Sequence, residues 1–371
     1  MCSLFRLSIT EWKPVTGTIP PLTPQEWESA FAKYRDSPEY RILNPHMTLQ
    51  EYKPIYYMEW GHRLWGRVIG LSFVLPALYF VSRRRVSARM SARIAGISAL
   101  IGMQGVIGWW MVKSGIQDDL FQDPGAHPRV SQYRLTAHLA AAFAVYAAML
   151  SNGLAVLREN HLLKNPRLGL AELAARAHPR IRVFRRAVTV VAGMVFITAM
   201  SGGIVAGLDA GLIYNEFPKM GEGIVPPRTE LFNTHYSRHD DGRDLWWRNM
   251  LENPTTAQFD HRVLATTTFS LITGLYAYST RPGVATALSQ QAKNAVRAVM
   301  AMALAQVAMG IGTLVWLVPI PLAVGHQAGS IALLTATLVL SSRVSAGRGI
   351  IGILRRRADR MTMAGRSGGR P

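Results

Sequence analysis

His62 and His261 sit at the same place in two related stretches, Glu59-Trp60-Gly61-His62-Arg63 and Gln258-Phe259-Asp260-His261-Arg262. Each stretch opens an apolar run, and one hairpin later each is followed by another histidine within an apolar segment, His138 and His326. Imidazole is the commonest metal-ligating side chain. A single histidine in a membrane helix more often serves interhelical hydrogen bonding. Two matched pairs at one depth carry a different meaning, because an iron porphyrin between helices takes one imidazole from each of two helices. The four histidines point to haem held in a helical protein built by internal duplication.

The two copies are unequal. Gln258 stands where the first copy has Glu59, so only the first carries a carboxylate one helical turn before its histidine. An ionisable group at a membrane boundary is costly and marks function; the alternative for Glu59 is a solvated carboxylate at a helix mouth. Between the histidines of each pair lies a glutamine followed by a glycine, Gln104 with Gly108 and Gln306 with Gly310. His62 to Gln104 is 42 residues and His261 to Gln306 is 45, whereas the remaining legs, to His138 and His326, are 34 and 20. Gly105, Gly108, Gly310 and Gly312 allow close approach of a helix or of a flat ring. Arg63, Arg67, Arg134 and Arg262 are candidates for pairing haem propionates, since guanidinium binds carboxylates in fork geometry. Anchoring to lipid phosphate is the alternative for Arg67. Asp209 and Asp260 either orient imidazoles or cap helices.

The elements that must position these groups are long and apolar. The 371 residues are 49% hydrophobic and 17% charged, which suits one or two soluble domains or a bundle of membrane helices. Nearly uncharged runs of about 18 or more residues recur along the chain and decide for the membrane. Seven are expected: Leu64 to Val81, Ile94 to Val112, Leu135 to Leu157, Ala187 to Leu208, Val263 to Thr280, Ala298 to Leu317 and Ile320 to Ser342. The first 57 residues read as an outer segment of brief helices broken by prolines. Asp118, Asp119 and Asp123 lie in a polar loop, and in the longest loop, 209 to 257, eight acidic residues outnumber five basic ones.

The net charge of +19 sits in short blocks between the runs. Arg-rich loops alternate with neutral or acidic ones, as an orientation set by the positive-inside rule requires, and this places all four histidines toward the acidic side. No basic face interleaved with exposed aromatics is present, so nucleic acid is excluded as a partner. The single cysteine, Cys2, excludes internal disulfides and Cys-rich metal sites. No cleavable signal or Arg/Ser-rich transit segment is expected.

The fold class is therefore all-α and polytopic, with two pseudo-repeated bundles: an N-terminal half, 1–165, a C-terminal half of four helices, 186–345, and a basic tail, 346–371. Leu7-Ser8-Ile9-Thr10-Glu11-Trp12 aligns with Leu212-Ile213-Tyr214-Asn215-Glu216-Phe217, which follows the fourth run. That run has no counterpart before Leu7, so the first half is expected to have three helices. Either translation starts at Met1, or the start lies further upstream.

The chain resembles the haem A synthase family in its mitochondrial and related bacterial branch. The resemblance covers nearly all of it and rests on Ser8-Ile9-Thr10-Glu11-Trp12-Lys13-Pro14, on Glu59 to Arg63, and on Arg129-Val130-Ser131-Gln132-Tyr133-Arg134-Leu135 with His138. It continues through Gly207-Leu208-Asp209-Ala210-Gly211 with Asn215 and Phe217-Pro218, Gln258 to Arg262, and His326-Gln327-Ala328-Gly329-Ser330. The branch with paired cysteines in outer loops is not matched.

What the resemblance implies is an eight-helix protein, seven helices of which are seen here, that oxidises the ring methyl group of haem O to the formyl group of haem A. It implies a resident haem b on His261 and His326, with its iron, and substrate haem O flanked by His62 and His138. Glu59 becomes the acid/base or proton-relay group, with Arg63, Arg134 and Arg262 beside the haems. It implies a ferredoxin-like electron donor, self-association, contact with cytochrome oxidase assembly factors, and a multi-pass place in the mitochondrial inner membrane or, alternatively, a bacterial plasma membrane. Oxidation of methyl to formyl needs a metal-centred oxidant, electrons and proton transfer, and imidazoles with one carboxylate supply the protein side of that. The competing reading is a bis-haem electron carrier, which has no need of a carboxylate in one half only.

Overall fold

A computed structural model describes residues 8–13, 16–116, 129–176, 178–345 and 350–367. Cys2, Leu7, Pro14, Asp118, Asp119 and Asp123, on which expectations above were placed, lie outside the described residues. Within them the chain is helical, and its one bridge pairs Met220 with Gly223.

The outer segment folds from local signals. Helix α1 (Pro24–Arg35) opens with a capping box, in which Thr23 accepts the Glu26 N–H and Glu26 returns to the Thr23 N–H. Helix α2 (Pro38–Leu43) is capped by Ser37. Trp27, Phe31 and Tyr34 fall at helical spacing on one face of α1 and are buried with Tyr52 of α3 (Leu49–Ser82); Tyr34 stacks on Tyr52 at 5.0 Å. A second capping box, Thr48 with Glu51, starts α3. The apolar run from Leu64 is thus only the lower part of a helix of 34 residues. At 1.5 Å per residue it is about 50 Å long against a hydrocarbon core of about 30 Å. It is longer than such a core needs, and its upper turns carry the aromatic cluster.

The other expected runs form α4 (Ala88–Lys113), α5 (Gln132–Lys164), α7 (Pro179–Gly207), α10 (Pro254–Thr280), α12 (Gln290–Val315) and α13 (Ile320–Val344). Among the described residues, α3, α4, α5, α7, α12 and α13 are long and apolar enough to cross a membrane. Large apolar side chains stand outward on them, for example Leu71, Leu75 and Leu78, a surface that only lipid satisfies. Helix α10 has 27 residues, but its threonines, serines and tyrosines lower its hydropathy. Thr266, Thr273, Ser279 and Thr280 donate back to carbonyls of their own helix, which leaves those hydroxyls without need of water.

Two helices arise where the charge pattern gave only basic stretches: α6 (Pro166–Arg176) and α14 (Ile351–Ser367). Leu173 of α6 and Leu354 of α14 are buried together with Leu162, near the end of α5, and Ile350, just before α14. Short helices α8 (Arg228–Leu231), α9 (Leu245–Glu252) and α11 (Pro282–Ala285) punctuate the loops.

The chain divides into two compact units, Met1–Val145 with Gly203–Ala210 and Asn233–Pro254, and Tyr146–Gly202 with Gly211–Phe232 and Thr255–Pro371. One histidine pair belongs to each. In the first unit, a methyl group on Gly207 would stand 2.7 Å from Gln132 Cα, so the end of α7 and the start of α5 meet backbone to backbone. Asp244 is buried in the same unit. Burial raises its carboxyl, but donors from Ser237, the Arg238 N–H and Arg248 outweigh that and hold it well below the usual carboxylate range. Arg248 continues to Glu252, which accepts the Tyr133 hydroxyl at 2.8 Å.

Gly207→Ala is expected to lower stability by about 1–3 kcal/mol, as overpacking does, read as a lower midpoint of thermal unfolding in detergent; an unchanged midpoint contradicts the contact. A carboxyl depressed in the folded state stabilises it above its unfolded value, about 3.9, and that contribution is lost as pH falls through the folded value. Asp244→Asn should therefore speed amide exchange in residues 233–252 at pH 7 and bring it close to the wild-type rate in strong acid. Equal exchange at pH 7 would refute the network.

Candidate functional site

The two histidine pairs assemble with nearly the same geometry. In the first unit the rings of His62, on α3, and His138, on α5, have centroids 6.4 Å apart at 79°. In the second, His261 on α10 and His326 on α13 are 6.5 Å apart at 90°. An imidazole nitrogen about 2 Å from a metal on each side puts two ring centroids roughly 6 Å apart. The separation fits ligation of one ion by both rings. Among the described residues no three His, Cys, Asp or Glu side chains gather as a bare ion would require. Two imidazoles suffice where a macrocycle supplies the other donors, so the donor set fits haem.

Glycine shapes the walls. A methyl group on Gly108 would stand 3.3 Å from His138 Cε1, and one on Gly310 would stand 2.9 Å from His326 Cε1. These two glycines of the repeat therefore face the imidazoles. Gly105 faces open space, and Gly312 faces Trp316. The glutamines lie beside the same histidines. Gln306 Nε2 donates to the His326 carbonyl at 2.7 Å. Gln104, with its amide oriented to satisfy both of its polar atoms, donates to the His138 carbonyl at 3.3 Å and to His138 Nδ1 at 3.1 Å and accepts the Ala142 N–H.

The aligned outer stretches are straps, and arginine holds each. Arg63 donates to the carbonyls of Ile9 and Glu11, both at 3.0 Å, and lies over the Trp12 ring at 5.5 Å. Arg262 donates to the carbonyls of Tyr214, at 3.0 Å, and Glu216, at 2.9 Å, and lies over the Phe217 ring at 6.0 Å. Ile9, Glu11 and Trp12 align with Tyr214, Glu216 and Phe217, so the duplication holds bond for bond. Arg262 also reaches the Lys219 carbonyl. Arg67 donates to the Lys13 carbonyl, and Arg134 donates to the Trp110 carbonyl while lying over its ring.

The unequal position is Glu59. Its Oε2 accepts the Ser8 N–H at 2.8 Å, the Ser8 hydroxyl at 2.7 Å and the Ile9 N–H at 2.9 Å, and its Oε1 pairs with Arg63 at 2.6 Å. It is neither a solvated carboxylate nor an unpartnered one: it clamps the strap to α3. Gln258 instead donates through Nε2 to the Tyr214 carbonyl. Of the aspartates, Asp209 follows α7 with φ 51°, the left-handed position that ends a helix. Asp260 Oδ2 is buried with no partner among the described residues.

Sequence reasoning missed Ser201. Its hydroxyl lies 2.7 Å from His261 Nδ1, and a methyl group on the adjoining Gly202 would stand 3.2 Å from His261 Cε1. Both lie in the uncharged fourth run, where a serine and a glycine carry no distinguishing signal. Ser8 falls within the repeat and the family motif, but nothing in the sequence joins it to a glutamate 51 positions on.

The model of a family described as cytochrome oxidase assembly protein, COX15-CtaA, matches residues 6–338. The chain is 46% identical over 338 residues to the heme A synthase COX15 of Saccharomyces cerevisiae, covering 91% of this chain and 69% of that protein. It is 43% identical over 338 residues to the heme A synthase COX15 of Homo sapiens, covering 91% and 75%. A heme A synthase–mitochondrial ferredoxin fusion protein of Schizosaccharomyces pombe is 47% identical over 343 residues, covering 91% of this chain and 55% of the fusion. No solved structure matches. A match over nearly the whole chain, with relatives of this identity, makes it a member of the COX15-CtaA family of cytochrome oxidase assembly proteins.

Proposed function

We propose that this haem A synthase, an oxidoreductase, holds a resident haem b between His261 and His326 and oxidises haem O between His62 and His138. The observation that carries the division is the Glu59/Gln258 difference within two otherwise duplicated clamps. When bound, haem b supplies a one-electron redox centre. The chain's own groups supply the rest. His62 and His138 fix the depth and tilt of the substrate ring, and Gly108 leaves room for the His138 imidazole against α4. Each hydroxylation of the ring methyl would take one oxygen atom from dioxygen, with two electrons from the donor and two protons converting the other oxygen to water. A second hydroxylation and loss of water from the carbon leave the formyl group, so protons must be moved near the ring. Glu59, one turn above His62, serves there; the Ser8 hydroxyl, with the Ile55 carbonyl at 3.1 Å and Glu59 Oε2 at 2.7 Å, gives its one proton to the nearer carboxylate.

Arg134 has an exposed guanidinium suited to a propionate. Arg63 and Arg262 act on the haems through the straps they hold and through their remaining N–H donors. A ferredoxin-like donor is supported by the fusion in the fission-yeast relative, whose printed name also supports a mitochondrial location. Self-association and contact with other assembly factors are part of the same reading. A bis-haem carrier without haem-modifying activity is disfavoured by the names of the relatives and by the carboxylate confined to one unit.

The experiment is a variant series read by absorption spectroscopy and haem extraction. His261→Ala and His326→Ala each should abolish the b-type spectrum. Glu59→Gln should retain it and reduce turnover at least about 100-fold, the range of general acid–base contributions. Unchanged spectra in both histidine variants, or full turnover in Glu59→Gln, contradict the assignment.

A further inference from the structure

The hydrogen bonds at His261 determine more than its position. The Ser201 hydroxyl has one proton, which it donates to the Thr198 carbonyl at 2.8 Å. With that proton directed to the carbonyl, the contact with His261 Nδ1, at 2.7 Å, has the ring as donor and the serine oxygen as acceptor. In a neutral imidazole a proton on Nδ1 leaves the lone pair on Nε2. A side chain on Gly202, next in the chain, would stand 3.2 Å from Cε1, so the helix backbone lies close against that edge of the ring. His326, its partner in the pair, has no hydrogen bond at Nδ1 among the described residues, and Gln306 donates to its carbonyl.

We propose that Ser201 is a positioning residue: by accepting the Nδ1–H of His261 it holds Nε2 toward the iron and makes that imidazole the stronger electron donor. An acceptor at the far nitrogen of a ligating histidine raises its basicity and sets its orientation, and losing such a partner weakens metal holding 10–100-fold in known sites. A more basic ligand favours the oxidised iron and lowers the potential. The proposal rests on the reading of His261 as a haem ligand.

The test uses the full chain in detergent or nanodiscs, comparing Ser201→Ala, Ser201→Thr and His261→Ala by redox titration and by the rate of haem loss. Ser201→Ala is expected to shift the b-type midpoint to more positive potential and to speed haem loss about tenfold. Ser201→Thr, which keeps the hydroxyl, is expected to stay close to wild type. If His261→Ala abolishes the spectrum while Ser201→Ala leaves potential and haem loss unchanged, the role of Ser201 is overturned and the ligand assignment stands. Equal shifts in the Ala and Thr variants also overturn it, since packing alone then accounts for them. A b-type spectrum that survives His261→Ala overturns the ligand assignment and the role of Ser201 together.

Discussion

Arginine donating to the backbone of an extended strap is the interaction on which the rest of the molecule depends. Carbonyls at the edge of a bilayer need donors, because an unpaired polar group there costs free energy. Arg63 and Arg262 satisfy them and lie over the strap's aromatic ring. Each arginine follows a histidine by one residue, so fixing the guanidinium fixes the rotation of the helix and thereby the direction of the imidazole. A histidine on a helix free to turn about its axis could not keep a partner ring 6.4 or 6.5 Å away.

On the proposed assignment, the same clamp lets one duplicated scaffold take two roles. In the first unit Glu59 neutralises Arg63 and gathers three donors from the strap. In the second, Arg262 faces carbonyls and the neutral Gln258 amide. At the second strap Glu216 acts on Arg262 through space rather than as a bonded pair, so less of the arginine's charge is neutralised than at Arg63, which on the proposed assignment suits a permanently held dianionic haem. The first carries a carboxylate linked to a hydroxyl, which suits proton movement at a substrate that must enter and leave. A change from Glu to Gln thus alters electrostatics without altering the geometry that places the ring.

Much of this was legible in the residues. Period and hydropathy marked every long helix, because lipid tolerates only long apolar segments with internally paired backbone. Spacing paired the histidines correctly, and the alignment of Leu7–Trp12 with Leu212–Phe217 identified the straps before any bond was visible. The extension of α3 up to Leu49 escaped notice because hydropathy reports lipid contact and is silent about a helix that continues into water. Helices α6 and α14 escaped because their arginines outweighed a narrow apolar stripe that only pairing makes useful. Ser201 and Ser8 were illegible for a different reason. A short hydroxyl side chain acquires meaning only from what the fold places beside it, and those partners lie 60 and 51 residues away.

The central claim is that the first unit performs chemistry on a haem while the second holds one. It is tested most directly by expressing the chain in membranes supplied with haem O but lacking any other haem A synthase, then extracting and chromatographing the haems. The account predicts hydroxymethyl and formyl haem alongside haem b. Haem b with unmodified haem O and no oxidised product would contradict it.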